Sequence, residues 1–223
     1  MKKIYFIAYV CLAILTGINA QTNSRLEKEI AAFEAKDAAN KPIPGQILLY
    51  GSSTIRIWAS CETDFACKNL KVINRGFGGS HTSDANLYFE RVVVPHQPKY
   101  IFLYEGDNDI GAGKSVDSVF MAYQTFVKKV KTQLPKTKVI LFSIKPSPSR
   151  IQHFEKQQAL NKRLRKWAKW TKGLYYLDVF SIMLDKNGKP DAALFKSDML
   201  HMEPQAYALW TIEVQKMLKR LEK

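Results

Sequence analysis

Two places in the chain carry side chains that could together perform nucleophilic chemistry. Ser52 and Ser53 follow an apolar run in "ILLYGSST", and Asp198 and His201 stand three residues apart in "DMLH". In a turn, that spacing can bring the carboxylate to one imidazole nitrogen and leave the other free to act as a base. A hydroxyl, a base and a carboxylate that orients the base are parts of an acyl-transfer site.

Two further segments could supply hydrogen-bond donors for the negative charge that develops during acyl transfer. The segment "NRGFGGSHTSDA" contains glycines that let bare backbone approach a ligand, and "YEGDNDIGAG" offers the neutral amide of Asn108. The N–H of Ser53 would add a donor, because a helix is expected to begin there. Each fragment alone is common as a turn or a helix cap, but their combination indicates an acyl-transfer site.

Short apolar runs must position these segments. They are continuous rather than alternating, which is typical of parallel strands buried on both faces. The runs lie at 46–50, 71–75, 99–104, 137–144 and 174–179, and segments with helical periodicity lie at 24–38, 84–92, 116–133, 153–171 and 203–221. This alternation predicts an α/β fold, a three-layer α/β/α sandwich with a flavodoxin-like parallel sheet of about five strands. Ligands of such sheets bind at the carboxyl ends of the strands, where three of the four segments fall.

At these segments the chain resembles the SGNH or GDSL-type hydrolases, in particular a secreted bacterial subgroup of GDSL-type lipase/acylhydrolases. The family's four blocks are similar to "YGSSTI", "GFGGSHT", "GDND" and "DMLH", in order across nearly the whole chain after residue 20. The resemblance implies that Ser53 is the nucleophile and that Asp198 and His201 complete a catalytic triad. Ser52 stands where the family name has Asp, which places a second serine beside the nucleophile.

The same resemblance implies an oxyanion hole made of the Ser53 N–H, the Gly79 N–H and the Asn108 side chain. Gly78 is the alternative to Gly79, because one sequence does not fix the register of a double glycine.

Four basic residues lie just beyond strand ends on the same face, and they are candidates for substrate binding: Arg56, Arg75, Lys145 and Arg150. They could bind a carboxylate or sugar hydroxyls, or they could pair with acidic residues of the "YEGDND" segment and hold the loops. Structural pairing is favoured for Arg56 and Arg75, and both roles stay open for the other two. Trp58 could stack on a sugar ring, although core packing is the default for this residue type.

The N-terminus has the order of a secretory signal peptide over residues 1–20: two lysines, an apolar run, and Ile18-Asn19-Ala20 as the cleavage site. The run is shorter than the ~20 residues that span a bilayer, and an uncleaved anchor is the alternative. Cleavage would leave residues 21–223 as a single domain without an integral membrane segment, exported to a periplasm or out of the cell. There, Cys61 and Cys67 could form a disulfide or stay free thiols.

The combined prediction is an exported serine ester hydrolase that needs neither a metal nor another cofactor and removes short acyl groups such as acetate from carbohydrates. Lipid or aryl esters are the alternative substrates, and a non-catalytic module that binds acidic glycans is the alternative from another class. After residue 20 the chain carries 32 basic and 20 acidic residues, many of the cations on predicted helices. Solvated helix faces explain them ahead of attraction to acidic polysaccharide. No nucleic-acid partner is expected, and the oligomeric state stays open.

Overall fold

The computed structural model describes residues 26–223, so the expected signal peptide lies outside the described residues. Helix α1, over residues 26–39, belongs to one compact unit that ends at Lys41. Pro42–Lys223 form the other unit, which contains every residue of the candidate site.

Five parallel strands form the sheet of the second unit, in the spatial order β2-β1-β3-β4-β5. They are β1 (Ile47–Gly51), β2 (Val72–Gly76), β3 (Tyr100–Tyr104), β4 (Lys138–Phe142) and β5 (Leu174–Leu177). All five begin within one residue of the predicted runs, and β4 and β5 end two residues before them. Every residue of β1 and of β3 is buried, which explains why their sequences are apolar without alternation.

Helices cover both faces of the sheet, and the predicted α/β/α sandwich is confirmed. The long helices are α7 (Val116–Gln133), α8 (Phe154–Lys169) and α9 (Pro204–Leu221). The short ones are α2 (Ser53–Arg56), α3 (Cys61–Asp64), α4 (Thr82–Leu87), α5 (Phe89–Val92) and α6 (Asp107–Gly111), with 3₁₀ turns at Val94–His96, Pro148–His153, Ser181–Met183 and Ala192–Leu194. The segment 84–92 holds two helices rather than one, because Tyr88 has a non-helical backbone between α4 and α5.

Successive side chains along a strand point to opposite faces of the sheet, so they pack against helices of different layers. On one face, Ile47 and Leu49 join a cluster that includes Trp210 of α9, whose ring stacks on Phe142 at 5.2 Å. Towards the other face, the ring of Tyr50 lies 5.9 Å from that of Phe126 in α7. Among residues 42–223, helices therefore pack on both faces of the sheet, which leaves its ends and edges for a ligand.

Cys61 and Cys67 are free thiols in the structure, the first buried and the second half-buried. Burial raises the pKa of both thiols, so their reactive thiolate forms are disfavoured.

Within residues 26–223, no helix combines the length and apolar character that a membrane crossing demands.

Candidate active site

The turn that carries Ser53 is shaped by Gly51 at the end of β1. Gly51 has φ +141°, and a Cβ there would lie 2.0 Å from the carbonyl oxygen of Tyr104 at the end of β3. Only glycine permits this approach. The Ser52 N–H donates to the Tyr104 carbonyl at 3.1 Å, and the Phe77 N–H donates to the Gly51 carbonyl at 2.8 Å. The turn is therefore fixed by the ends of both strands that flank β1.

The two adjacent serines have different surroundings. Ser52 is the N-cap of α2 and is only 3% exposed. Ser53 is half-buried, and its Oγ lies 3.1 Å from Nε2 of His201. Of the two hydroxyls, the one on Ser53 thus faces the imidazole.

Asp198 and His201 are joined in a tight turn before α9. Nδ1 of His201 lies 2.6 Å from Oδ2 of Asp198, while Oδ1 accepts the N–H groups of Leu200 and His201, each at 2.9 Å. Partial burial works to raise the pKa of Asp198, but these hydrogen bonds outweigh it and lower the pKa to about 2. An ionised carboxylate at Nδ1 keeps the proton on that nitrogen, so Nε2 is left to accept one from Ser53.

Asn108 lies in α6, shortly after β3, and the two glycines of "FGGS" lie in the loop that follows β2. The side-chain amide of Asn108 donates one N–H to the carbonyl of Ser80 at 2.9 Å, which leaves its second N–H for another acceptor. Gly79 has φ +73°, and a Cβ on Gly78 would lie 2.7 Å from the guanidinium carbon of Arg56. The positive φ favours glycine at position 79, whereas the Arg56 side chain could move away from a residue at position 78, and the N–H groups of both glycines are candidates for an oxyanion donor.

The buried carboxyl group of Glu105 contacts this glycine loop through Ser80. Oγ of Ser80 lies 2.7 Å from Oε1 of Glu105 and 3.1 Å from the carbonyl oxygen of Phe77. Burial raises the pKa of Glu105 well above its ordinary value, because an ionised carboxylate is poorly solvated there. The Ser80 hydroxyl can donate its proton to either oxygen, so it links the glycine loop to Glu105 at the end of β3.

Asp109 ties the same loop to α6. Its Oδ2 accepts the backbone N–H of Thr82 at 2.9 Å, and its Oδ1 accepts from Nζ of Lys114 at 2.8 Å. Burial acts to raise the pKa of Asp109, but hydrogen bonds from His81, Lys114 and Thr82 lower it to about 2. The start of α4 is therefore held at a fixed distance from Asn108, the neighbour of Asp109.

Asn74 holds the serine helix against β2. Its Nδ2 donates to the carbonyl of Ile55 at 2.8 Å, and its Oδ1 accepts the Gly76 N–H at 2.9 Å. Asn74 was not predicted to have a role at the site, and Glu105 was considered only as a partner for the basic residues at the strand ends. The available signal was a polar residue within or directly after an otherwise apolar strand, where a buried polar group needs a partner.

The four basic residues at the strand ends fall into two groups. Lys145 is 1% exposed and its Nζ lies 2.9 Å from Oδ2 of Asp107, and Arg75 is 9% exposed. Arg56 is exposed and packs on Gly78, while the guanidinium of Arg150 fills the space where a Cβ of Gly111 would be. Lys145 and Arg75 are therefore buried within the protein, whereas Arg56 packs on the glycine loop and Arg150 on α6, and both of these side chains have solvent access.

Trp58 is part of the core and is not available to stack on a sugar. It is 1% exposed, its Nε1 donates to Oδ2 of Asp64 at 2.6 Å, and its ring lies 4.9 Å from that of Tyr207.

The sequence model of the GDSL-like lipase/acylhydrolase family matches residues 50–209, a range that contains all the site residues above. The chain belongs to this family.

The proteins similar to this member of the GDSL-like lipase/acylhydrolase family include one relative and two solved structures. The uncharacterized lipoprotein YqeF of Bacillus subtilis (strain 168) is 46% identical over 101 residues, which are 45% of this chain and 40% of YqeF, less than half of that protein's length. A GDSL-like lipase of Bacteroides thetaiotaomicron has a TM-score of 0.74 at 22% identity, covering 86% of this chain and 97% of that one. An acetylxylan esterase of Geobacillus stearothermophilus has a TM-score of 0.65 at 13% identity, covering 78% and 94%. At these identities the two structures are alike in fold.

Proposed function

We propose that this protein is an exported serine esterase in which Ser53, His201 and Asp198 form the catalytic triad. The observation that carries the proposal is the chain of two contacts from Ser53 Oγ to His201 Nε2 at 3.1 Å and from His201 Nδ1 to Asp198 at 2.6 Å. A nucleophile within hydrogen-bond reach of a base, and a base oriented by a carboxylate, is the arrangement that activates a serine.

In the proposed mechanism, His201 takes the proton of Ser53 as Oγ attacks the ester carbonyl. The oxyanion that forms accepts hydrogen bonds from the N–H of Ser53, the N–H of Gly79 or Gly78, and the second amide N–H of Asn108. His201 then gives its proton to the leaving alcohol, and it later activates the water that hydrolyses the acyl-enzyme. His201 makes every proton transfer, so the mechanism uses no metal ion and no cofactor.

For the substrate we propose a short acyl group, such as acetate, on a carbohydrate. The acetylxylan esterase that shares the fold supports an acetyl group, and the expected export of the chain supports an extracellular glycan. YqeF, as a lipoprotein, is also consistent with a protein that leaves the cytoplasm. The side chain of His201 is 30% exposed, which fits an acyl group attached to a bulky polymer.

The test is hydrolysis of p-nitrophenyl esters from acetate to long-chain acyl groups by wild type, Ser53→Ala and Ser52→Ala. The Ser53→Ala variant should lose on the order of 10⁴-fold or more in kcat. Ser52→Ala is the matched control, because Ser52 is the buried neighbour, and its kcat should stay within about threefold of wild type. Acetate should be cleaved best, without inhibition by chelators.

A different outcome of these assays would refute each part of the proposal. Equal loss in both serine variants would refute Ser53 as the nucleophile, and inhibition by a chelator would refute the metal-free mechanism. Preference for long acyl chains would move the substrate to lipids. If wild type cleaves no ester, the chain is not the esterase proposed here.

Export is tested separately. Mass spectrometry of the protein secreted by a bacterial host should find Gln21 as its first residue, because cleavage is expected after Ala20.

A further inference from the structure

A groove of about 790 Å³ follows the outer side of β5, the edge strand furthest from β2. Its walls are the end of α8, the loop 170–173, β5 and Arg220 of α9. A second cavity of about 300 Å³ shares Arg165, Tyr176 and Asp178 with it and reaches Phe180 beyond the carboxyl end of β5. The two form one path along the edge strand, which we name the edge groove.

The edge groove has a strong positive charge. Its lining contains five basic residues, Lys162, Arg165, Lys169, Lys172 and Arg220, and one acidic residue, Asp178. Asp178 is paired with Arg165. In the part of the chain that the structure describes, the other four cations contact no carboxylate, so the groove offers four uncompensated charges to a ligand.

Aromatic side chains stand among these cations. Trp170 is 76% exposed, although a tryptophan is usually largely buried. Nζ of Lys169 lies 5.2 Å from the centre of its ring, and the guanidinium of Arg220 lies 5.7 Å from the ring of Tyr175. An exposed ring beside unpaired cations gives a flat face for stacking and charged groups for anions at the same place.

We propose that the edge groove binds an anionic polysaccharide, with sugar rings on Trp170 and acidic groups on Lys169, Lys172 and Arg220. A concave site fits a polymer chain better than a flat bilayer. The choice of a glycan over a single-stranded nucleic acid rests on the proposed function, because a glycan can carry the acyl esters that Ser53 would remove.

The position of the groove makes it separate from the reactive serine. Strands β3 and β4 lie between β1 and β5, which places the edge groove roughly 14 Å or more from the end of β1. The polymer would therefore be held along β5 while an acylated unit further along it reaches the carboxyl end of the sheet. Such a contact raises the local concentration of esters without entering the reaction.

The experiment measures binding of polygalacturonate, a polymer of carboxylated sugars, to the Ser53→Ala protein by calorimetry at about 20 to 200 mM salt. Two variants are made in that background: Trp170→Ala, and the triple variant Lys169→Gln, Lys172→Gln, Arg220→Gln. The matched control removes three exposed lysines outside the groove, Lys71→Gln, Lys128→Gln and Lys186→Gln. Single-stranded DNA and anionic phospholipid vesicles are measured in parallel.

We expect the triple groove variant to bind at least about tenfold more weakly with a shallower salt dependence, and Trp170→Ala about fivefold more weakly. The control triple should stay within about twofold of its parent. Equal losses in groove and control variants, or no loss in either, would overturn the proposal, and tighter binding of DNA or vesicles would overturn the glycan assignment.

Failure of the groove proposal can be distinguished from failure of the proposed esterase activity. The groove variants are also made in the protein with an intact Ser53, where hydrolysis of p-nitrophenyl acetate should be unchanged because that substrate is too small to reach β5. A protein that binds glycan at the groove but cleaves no ester supports the groove and refutes the esterase. A protein that cleaves esters but shows no groove-dependent binding supports the esterase and refutes the groove proposal.

Discussion

Replacing Gly51 with alanine tests how tightly the strand ends fix the proposed nucleophile. The added Cβ would lie 2.0 Å from the carbonyl oxygen of Tyr104, whereas a carbon and an oxygen normally approach to about 3.3 Å. Relief requires a movement of more than about 1 Å between the ends of β1 and β3, since the obstructing atom is backbone. That movement would break the 3.1 Å hydrogen bond from the Ser52 N–H to Tyr104.

The expected cost combines three effects. A non-glycine residue at φ +141° is strained by about 1 to 2 kcal/mol, the lost hydrogen bond contributes about 1 kcal/mol, and the residual steric overlap about 1 kcal/mol more. The sum of about 3 to 4 kcal/mol corresponds to a fall in Tm of about 6 to 16 °C for a domain of this size. A displacement of Ser53 by about 1 Å should lower kcat about 100-fold.

Gly45→Ala is the matched control, because Gly45 also has a positive φ, +81°, but nothing lies within 4 Å of the added Cβ. It should lose about 1 kcal/mol, or about 2 to 4 °C in Tm, and keep full activity. Thermal unfolding and p-nitrophenyl acetate hydrolysis are measured for both variants. If Gly51→Ala melts and turns over like Gly45→Ala, the close approach of the two strands does not position the serine.

Three other substitutions probe the groups around the site. Asp198→Asn should lower kcat by about 10³-fold or more with circular dichroism unchanged, because an amide no longer holds the His201 proton on Nδ1; a loss under tenfold would contradict this. Glu105→Gln should keep activity and change the pH dependence of stability. The buried carboxyl holds a proton that the unfolded chain releases, so wild type loses stability as pH rises above about 4.5, and the variant should lack this loss in urea titrations across pH. Lys145→Met should lose about 3 to 5 kcal/mol because it leaves Asp107 charged and buried, and adding Asp107→Asn should restore part of that, whereas purely additive losses would refute the ion-pair argument.

The fold could be predicted from the sequence because the strands are buried on both faces and read as continuous apolar runs. The differences lie at the ends, where side chains replace the regular backbone pairing. The predicted strand 137–144 stops at Phe142 in the structure. There the amide of Asn161 bonds to both backbone groups of Ile144, at 2.8 and 2.9 Å, and Oγ of Ser143 accepts the N–H groups of Val179 and Phe180. Nothing in a local window marks Asn161 as a partner for this strand.

The contacts between Ser53, His201 and Asp198 could be anticipated from the sequence, whereas the contacts of the supporting residues could not. Ser53, Asn108, Asp198 and His201 each stand in a short block whose order along the chain implies their meeting. Glu105 gave no such signal, since its part in holding Ser80 depends on a contact across 25 residues. The residues of the proposed site lie at strand ends and turns, which local sequence patterns indicate, whereas a supporting side chain can be recognised only from its partner in the folded structure.

The two halves of the proposed triad are held by different means. Ser53 is fixed by the backbone of the neighbouring strands, while His201 stands in a turn whose carboxylate, Asp198, is 48% exposed. That turn is tied to the segment Pro148–His153, where the Ser149 N–H donates to the carbonyl of Met199 at 3.1 Å. The next residue of that segment, Arg150, packs on Gly111 at the end of α6, the helix that carries Asn108. The base and the amide donor therefore share one support, separate from that of the nucleophile, so changes in Pro148–His153 should move His201 and Asn108 together and leave Ser53 in place.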